Sequence, residues 1–219
     1  MTHLDVEVQR LRDDMKEMMA LTQSQLNRAR KSFLQLDKDL AREIIFYERR
    51  MNSLELKIDR DCENILALLS PVAVDLRFVL ACMKINSSLE RMADNAEGLA
   101  RYVNEIKNPF DEGLLRNIGL MQMFDVAEQM LADVCNAFEN ENTAVAHGVF
   151  QKDEILNELN VKAALVTEEF IKSHLDKTYE SLFVLSAVRK LERVGDLAKN
   201  IAEEIIFYIE AKVLKHKKD

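Results

Sequence analysis

From about Val6 to Leu36, apolar side chains return every three or four residues: Leu11, Met15, Met18, Leu26, Ala29, Phe33 and Leu36, with Thr22 on the same line. That spacing matches the 3.6-residue period and predicts an amphipathic helix. A second run carries Leu40, Ile44, Tyr47, Met51, Leu54, Ile58, Cys62, Ile65 and Leu68, and stops at Ser70-Pro71. A third, from about Ala73 to Ile106, passes through Phe78, Ile85, Leu89, Met92, Ala96, Leu99 and Val103 and closes at Asn108-Pro109. Proline cannot continue a helix interior, so Pro71 and Pro109 act as punctuation. A fourth helix is expected from Asp111, an N-cap candidate, to near Phe138. A fifth covers about Thr143 to His174 and a sixth about Lys177 to Leu214. Helices of roughly 30 residues reach about 45 Å, and long helices with short connections pack as antiparallel bundles.

The pattern repeats. A shift of 105 residues lays Phe33 on Phe138, Leu26 on Leu131, Met18 on Met123, Ala41 on Ala146, Asn52 on Asn157 and Leu54 on Leu159. A shift of 102 lays Leu89-Glu90-Arg91 on Leu191-Glu192-Arg193 and Asp94 on Asp196. A shorter link before the sixth helix absorbs the difference. The expected architecture is all-α: two tandem, pseudo-symmetric three-helix bundles, residues 1–108 and 109–219.

Composition agrees. Five Gly and two Pro supply too few chain reversals for a turn-rich β or α/β fold. With 38 acidic against 30 basic residues and a net charge of −8, the long-range field repels nucleic-acid backbones and favours cations and basic surfaces. No apolar run approaches the ~20 residues of a membrane span, and the chain is polar from Thr2 onward. Cys62, Cys82 and Cys135 lack CxxC spacing and sit among helix-pattern apolars, so they read as buried small hydrophobes in a reducing compartment, and the expected location is the cytoplasm. Lys212, Lys215, Lys217 and Lys218 complement the dipole of the last helix.

Candidate chemistry lies in strips of acids. On a helix, positions i, i+4, i+7 and i+11 share a narrow line. Glu48, Asn52, Glu55 and Asp59 form such a line on the second helix, Glu90, Asp94 and Glu97 on the third, and Glu192, Asp196 and Glu203 on the sixth. Each strip is expected to face away from the core of its own bundle. The bland alternative is a solvated face. Against it stands the recurrence of the acid pair inside the same Leu-Glu-Arg-x-x-Asp frame in both repeats. Like charges at i, i+4 repel unless something compensates, and oxygen-rich strips on neighbouring helices can hold a cation with several ligands. All-oxygen donors suit iron, manganese and magnesium, with zinc a poorer match. His3, His147, His174 and His216 are scattered, and none follows a Glu at the Glu-x-x-His spacing of di-iron bundles. No Gly-rich phosphate loop or Gly-x-Ser-x-Gly is present, and Ser87-Ser88 has no evident base. Phe46-Tyr47 and Phe207-Tyr208, each after a pair of isoleucines, are expected to be packing residues.

The run Ser70-Pro71-Val72-Ala73-Val74-Asp75-Leu76-Arg77, followed by Leu89-Glu90-Arg91-Met92-Ala93-Asp94, resembles the PhoU family. So does Leu191-Glu192-Arg193-Val194-Gly195-Asp196-Leu197-Ala198-Lys199-Asn200-Ile201-Ala202-Glu203, while Leu54-Glu55-Leu56-Lys57-Ile58-Asp59 resembles that family's acidic segment. The resemblance spans nearly the whole chain and includes the duplication. It implies a non-enzymatic, homodimeric negative regulator of phosphate-starvation signalling with metal clusters on E/D-x-x-x-D motifs. The implied partners are the ATPase of the phosphate ABC transporter and a sensor histidine kinase; direct membrane insertion and nucleic acid are not implied. The chain departs from the family on the fifth helix. There the equivalents of Glu48, Asn52, Glu55 and Asp59 are Asp153, Asn157, Asn160 and Ala164, and Met92-Ala93 stands for the usual Ile-Gly. The second-repeat site, Asp153 with Glu192 and Asp196, is accordingly expected to be the weaker. Two other functions compete: a metal-free helical adaptor, and a metal-dependent hydrolase using the strips.

Overall fold

The computed structural model describes residues 2–214, so that of the C-terminal cluster only Lys212 is described; His216, Lys215, Lys217 and Lys218 lie outside the described residues. The elements are α1 (His3–Gln35), α2 (Lys38–Leu69), α3 (Ala73–Glu105), α4 (Glu112–Ile118), α5 (Leu120–Glu139), α6 (Thr143–Ser173), a 3₁₀ turn (Leu175–Lys177) and α7 (Thr178–Glu210). No strand occurs among the described residues. The expected fourth helix is split. Gly119 holds the left-handed conformation at φ 81°, ending the short α4 and starting α5. A position there with a Cβ would press on Leu159 Cδ2 at 3.1 Å, so backbone and packing both call for glycine.

The helix starts follow capping chemistry. Thr2 and Asp5 form a reciprocal capping box. Asp37 accepts from the amides of Asp39 and Leu40, Asn142 from those of Ala144 and Val145, and Asp111 from that of Leu114 at 3.1 Å. α2 ends where Ser70 turns left-handed at φ 46°, directly before Pro71.

α3 packs against α1, α2 and α7, and α7 packs against α3, α5 and α6. These two helices are the inner pair of the molecule; α2 and α6 are the outer ones. α1 also meets α5, so the buried hydrophobics of both repeats join in one continuous core. The matched positions Phe33 and Phe138, Leu26 and Leu131, Met18 and Met123, Ala41 and Ala146 are buried in both repeats. Phe33 stacks on Phe110 at 4.6 Å, while Phe138 lies against Phe78 at 6.0 Å and Tyr208 at 6.2 Å. Cys62 and Cys82 are buried and Cys135 half-buried; burial pushes the Cys62 and Cys135 thiols up to about 12, which leaves them inert. No helix among the described residues is long and apolar enough to cross a membrane.

Three expected packing positions are instead exposed: Phe46 at 71 %, Tyr47 at 40 % and Leu68 at 75 %. All three lie on α2, which has neighbours on fewer sides than the inner helices. Tyr208, in the identical Ile-Ile-Phe-Tyr run of α7, is only 2 % exposed.

Phe33 is fully buried and its ring contacts, with Phe110 and Phe124, join the first repeat to the second. Phe33→Ala should therefore lower stability by about 3–5 kcal/mol, through lost transfer energy and a residual cavity. Urea unfolding followed by circular dichroism measures this, with Phe46→Ala as the near-neutral control.

Candidate functional site

The lateral pairing of α2 with α3 converts two acid strips into one seam. Glu48, Asn52, Glu55 and Asp59 descend one side; Glu90, Asp94 and Glu97 descend the other. Glu55 and Glu90 are half-buried between the helices and Asp94 lies at the exposed edge. Asn86, fully buried on α3, ties the walls together: its amide donates to the Glu55 carbonyl oxygen at 3.0 Å and to Asp59 Oδ1 at 2.9 Å. Asn52 donates to Glu48 Oε1 at 2.7 Å.

This seam is electrostatically strained. Partial burial, then the charges of Asp94, Glu55 and Glu48, push the Glu90 carboxyl up to about 7. Burial followed by Asp59 and Asp94 raises Glu55, and burial followed by Glu48 and Glu97 raises Asp94. Arg91 opposes the rise of Glu90. Arg101 pairs with Glu97 at 2.6 Å, and Lys190 of α7, whose ammonium sits 5.5 Å from the Tyr102 ring, bears on Asp94.

The second seam, between α6 and α7, is built differently. Asp153 is not on an outward strip: it is 3 % exposed, covered by α7. An added Cβ at Gly195 would run into Leu156, so glycine lets α7 approach α6 closely and cover Asp153. Lys199 donates to Asp153 Oδ2 at 2.6 Å and lies 3.9 Å from Asp196 Oδ1. Asn157 also donates to Asp153 Oδ2, at 3.4 Å. Glu192 is raised by burial, then by Asp196 and Asp153, and Arg193 and Lys199 oppose that rise.

The donor set of the first seam fits a hard cation. Its carboxylates raise one another, and the buried side-chain oxygens Asn52 Oδ1 and Asn86 Oδ1 have no hydrogen-bond partner. Among the described residues no three His, Cys, Asp or Glu side chains already converge as a ligand cluster. In the second seam the Lys199 ammonium already pairs with Asp153, and Asn160 and Ala164 take the places of Glu55 and Asp59.

The duplicated helical arrangement is shared with known proteins. A family model described as "PhoU domain" matches residues 15–103 and again 120–205. The chain belongs to the PhoU family. It is 29 % identical to the phosphate-specific transport system accessory protein PhoU homolog of a Burkholderia species, over 98 % of this chain and 92 % of that one. With the accessory protein PhoU of Escherichia coli K12 the identity is 26 %, over 97 % and 87 %. The crystal structure of PhoU from Pseudomonas aeruginosa superposes with a TM-score of 0.88 at 26 % identity, covering 96 % of this chain and all of that one. The phosphate transport system regulatory protein PhoU from Streptococcus pneumoniae gives 0.84 at 28 %, covering 97 % of this chain.

Two PhoU-fold positions escape a strip-by-strip reading of the acids. Asn86 is uncharged, although it lies four residues before Glu90 on the same line. Lys199 occupies the place of Glu97 under the 102-residue shift, a reversal of charge visible only when the repeats are aligned. His174 stacks on Phe170 at 4.3 Å, and His3 and His147 are exposed, so none of the three faces a seam.

The raised Glu90 sets a pH dependence. Its folded value of about 7 exceeds the ordinary 4.5, so between these limits the native state binds more protons than the unfolded one and stability falls as pH rises. With EDTA present, Glu90→Gln should match the wild type at pH about 4 and exceed it at pH about 8, the gap opening across that window. Thermal unfolding at stepped pH checks this; a gap that shrinks with rising pH contradicts it.

Proposed function

We propose that this chain restrains phosphate-starvation signalling, linking the ATPase of a phosphate ABC transporter to a sensor histidine kinase in the cytoplasm, as a homodimer. One observation carries the reading: relatives named accessory proteins of the phosphate-specific transport system align over 97–98 % of the chain. The duplicated fold supports it, because a linker needs two related surfaces. Its work is binding rather than catalysis. A regulator must exchange as transport changes, and micromolar contacts, about 8 kcal/mol, suffice.

The acid strip of the first repeat belongs to the same proposal. Glu48, Asn52, Glu55, Asp59, Glu90 and Asp94 would hold an iron, manganese or magnesium ion, with zinc the poorer match. Such an ion would neutralise the crowded carboxylates and fix α2 against α3, setting the face offered to a partner. The metal-dependent hydrolase alternative lacks support in the chemistry of the seam, where neither wall carries a histidine base.

Deleting the gene should leave starvation genes expressed in phosphate-rich medium, and in-cell cross-linking should recover both partners. Low, phosphate-responsive expression with neither partner recovered overturns the proposal. For the metal, bound iron and manganese per chain should fall sharply in Glu90→Ala/Asp94→Ala and hardly change in Glu192→Ala/Asp196→Ala. Equal losses contradict the asymmetry.

A further inference from the structure

The two seams differ most in how their negative charge is balanced. Lys199 reverses the sign of its repeat partner Glu97. Its ammonium reaches across from α7 to Asp153 on α6, spanning the seam as a bound ion would. Asp153 is buried, and only one of its oxygens is served: Oδ2 accepts from Lys199 and Asn157, while Oδ1 has no hydrogen-bond partner. A buried carboxylate held by one ammonium is a strong local dependence, because removing the cation strands the anion away from water. The carboxylates of the opposite wall are placed to share that charge, with Asp196 Oδ1 3.9 Å from the ammonium. The remaining positions of the α6 wall have lost their acids, with Asn160 and Ala164 where the first repeat has Glu55 and Asp59.

We propose that the Lys199 ammonium is the resident cation of the second repeat, standing in for a metal ion and excluding one from the Asp153–Glu192–Asp196 seam. The chain is thereby one-sided: one seam is open to an exchangeable ion and the other is permanently locked by a side chain. This rests on the first seam being the metal site, but Lys199 can be tested apart from it.

The experiment uses the full chain in a Glu90→Gln/Asp94→Asn background, which silences the first seam, with Mn2+ as the probe. In EDTA, Lys199→Met should lower the urea midpoint of this parent, Lys199→Arg should largely keep it, and adding Asp153→Asn to Lys199→Met should restore it. By equilibrium dialysis the parent should bind no Mn2+, while Lys199→Met should gain bound Mn2+ and recover its midpoint on addition of the ion. Equal midpoints for parent and Lys199→Met overturn the resident-cation role. Mn2+ bound equally by both, or by neither, overturns the exclusion. If Lys199→Met is too unstable to handle, the Asp153→Asn rescue and the Arg variant decide the point. Absence of Mn2+ from the chain with its first seam intact would instead refute the metal reading of that seam and leave the Lys199 result standing.

Discussion

The close contact of α3 with α7 is the constraint on which the rest of the molecule depends. Both helices carry small buried residues: Ala81, Ala93, Ala96, Gly98 and Ala100 on one, Ala187, Ala198 and Ala202 on the other. An added Cβ at Gly98 would run into the end of the Lys190 side chain, which reaches from α7 over this point of α3. Small residues bring helix axes together and multiply dispersion contacts along the line of approach. Every outer long helix packs on this inner pair, α1 and α2 on α3 and α5 and α6 on α7, and the contact of α3 with α7 joins the two sets.

That geometry also decides where charge can go. α3 is covered by α1, α2 and α7, and α7 by α3, α5 and α6. Little of either surface is left for acids except the margin beside α2 or α6. The carboxylates of the Leu-Glu-Arg-x-x-Asp frame therefore collect along the lateral seams, Glu90, Glu192 and Asp196 half-buried and Asp94 at the exposed edge. Burial first, then the neighbouring carboxylates, disfavours the ionised forms of Glu55, Glu90 and Asp94. Relief requires a proton, an exchangeable ion or an internal lysine. The first repeat retains the choice between the first two. The second has the lysine, and with it a fixed neutral balance between Asp153 and Lys199. Divergence after duplication has thus acted on charge compensation more than on packing, since the matched apolar pairs remain buried on both sides.

The all-α class, the six long helices, their ends to within a few residues and the duplication were all legible in the chain, because periodicity, capping and proline act locally. The split at Gly119 is equally local, yet it was missed, since an isolated glycine inside an apolar helical pattern reads as tolerated until its φ is known. The pairing of Glu55 and Asp59 with Glu90 and Asp94 was also within reach of the strips. What periodicity cannot supply is the identity of the neighbour. Ile44-Ile45-Phe46-Tyr47 and Ile205-Ile206-Phe207-Tyr208 are the same tetrapeptide, but Tyr47 is 40 % exposed on an outer helix and Tyr208 2 % exposed on an inner one. Likewise Asp153 has the local pattern of a surface acid but is buried beside Gly195 of α7. The sequence determined which face of each helix is apolar; the tertiary structure decided how many helices cover it, because burial and charge balance are properties of the whole packing and not of any one segment.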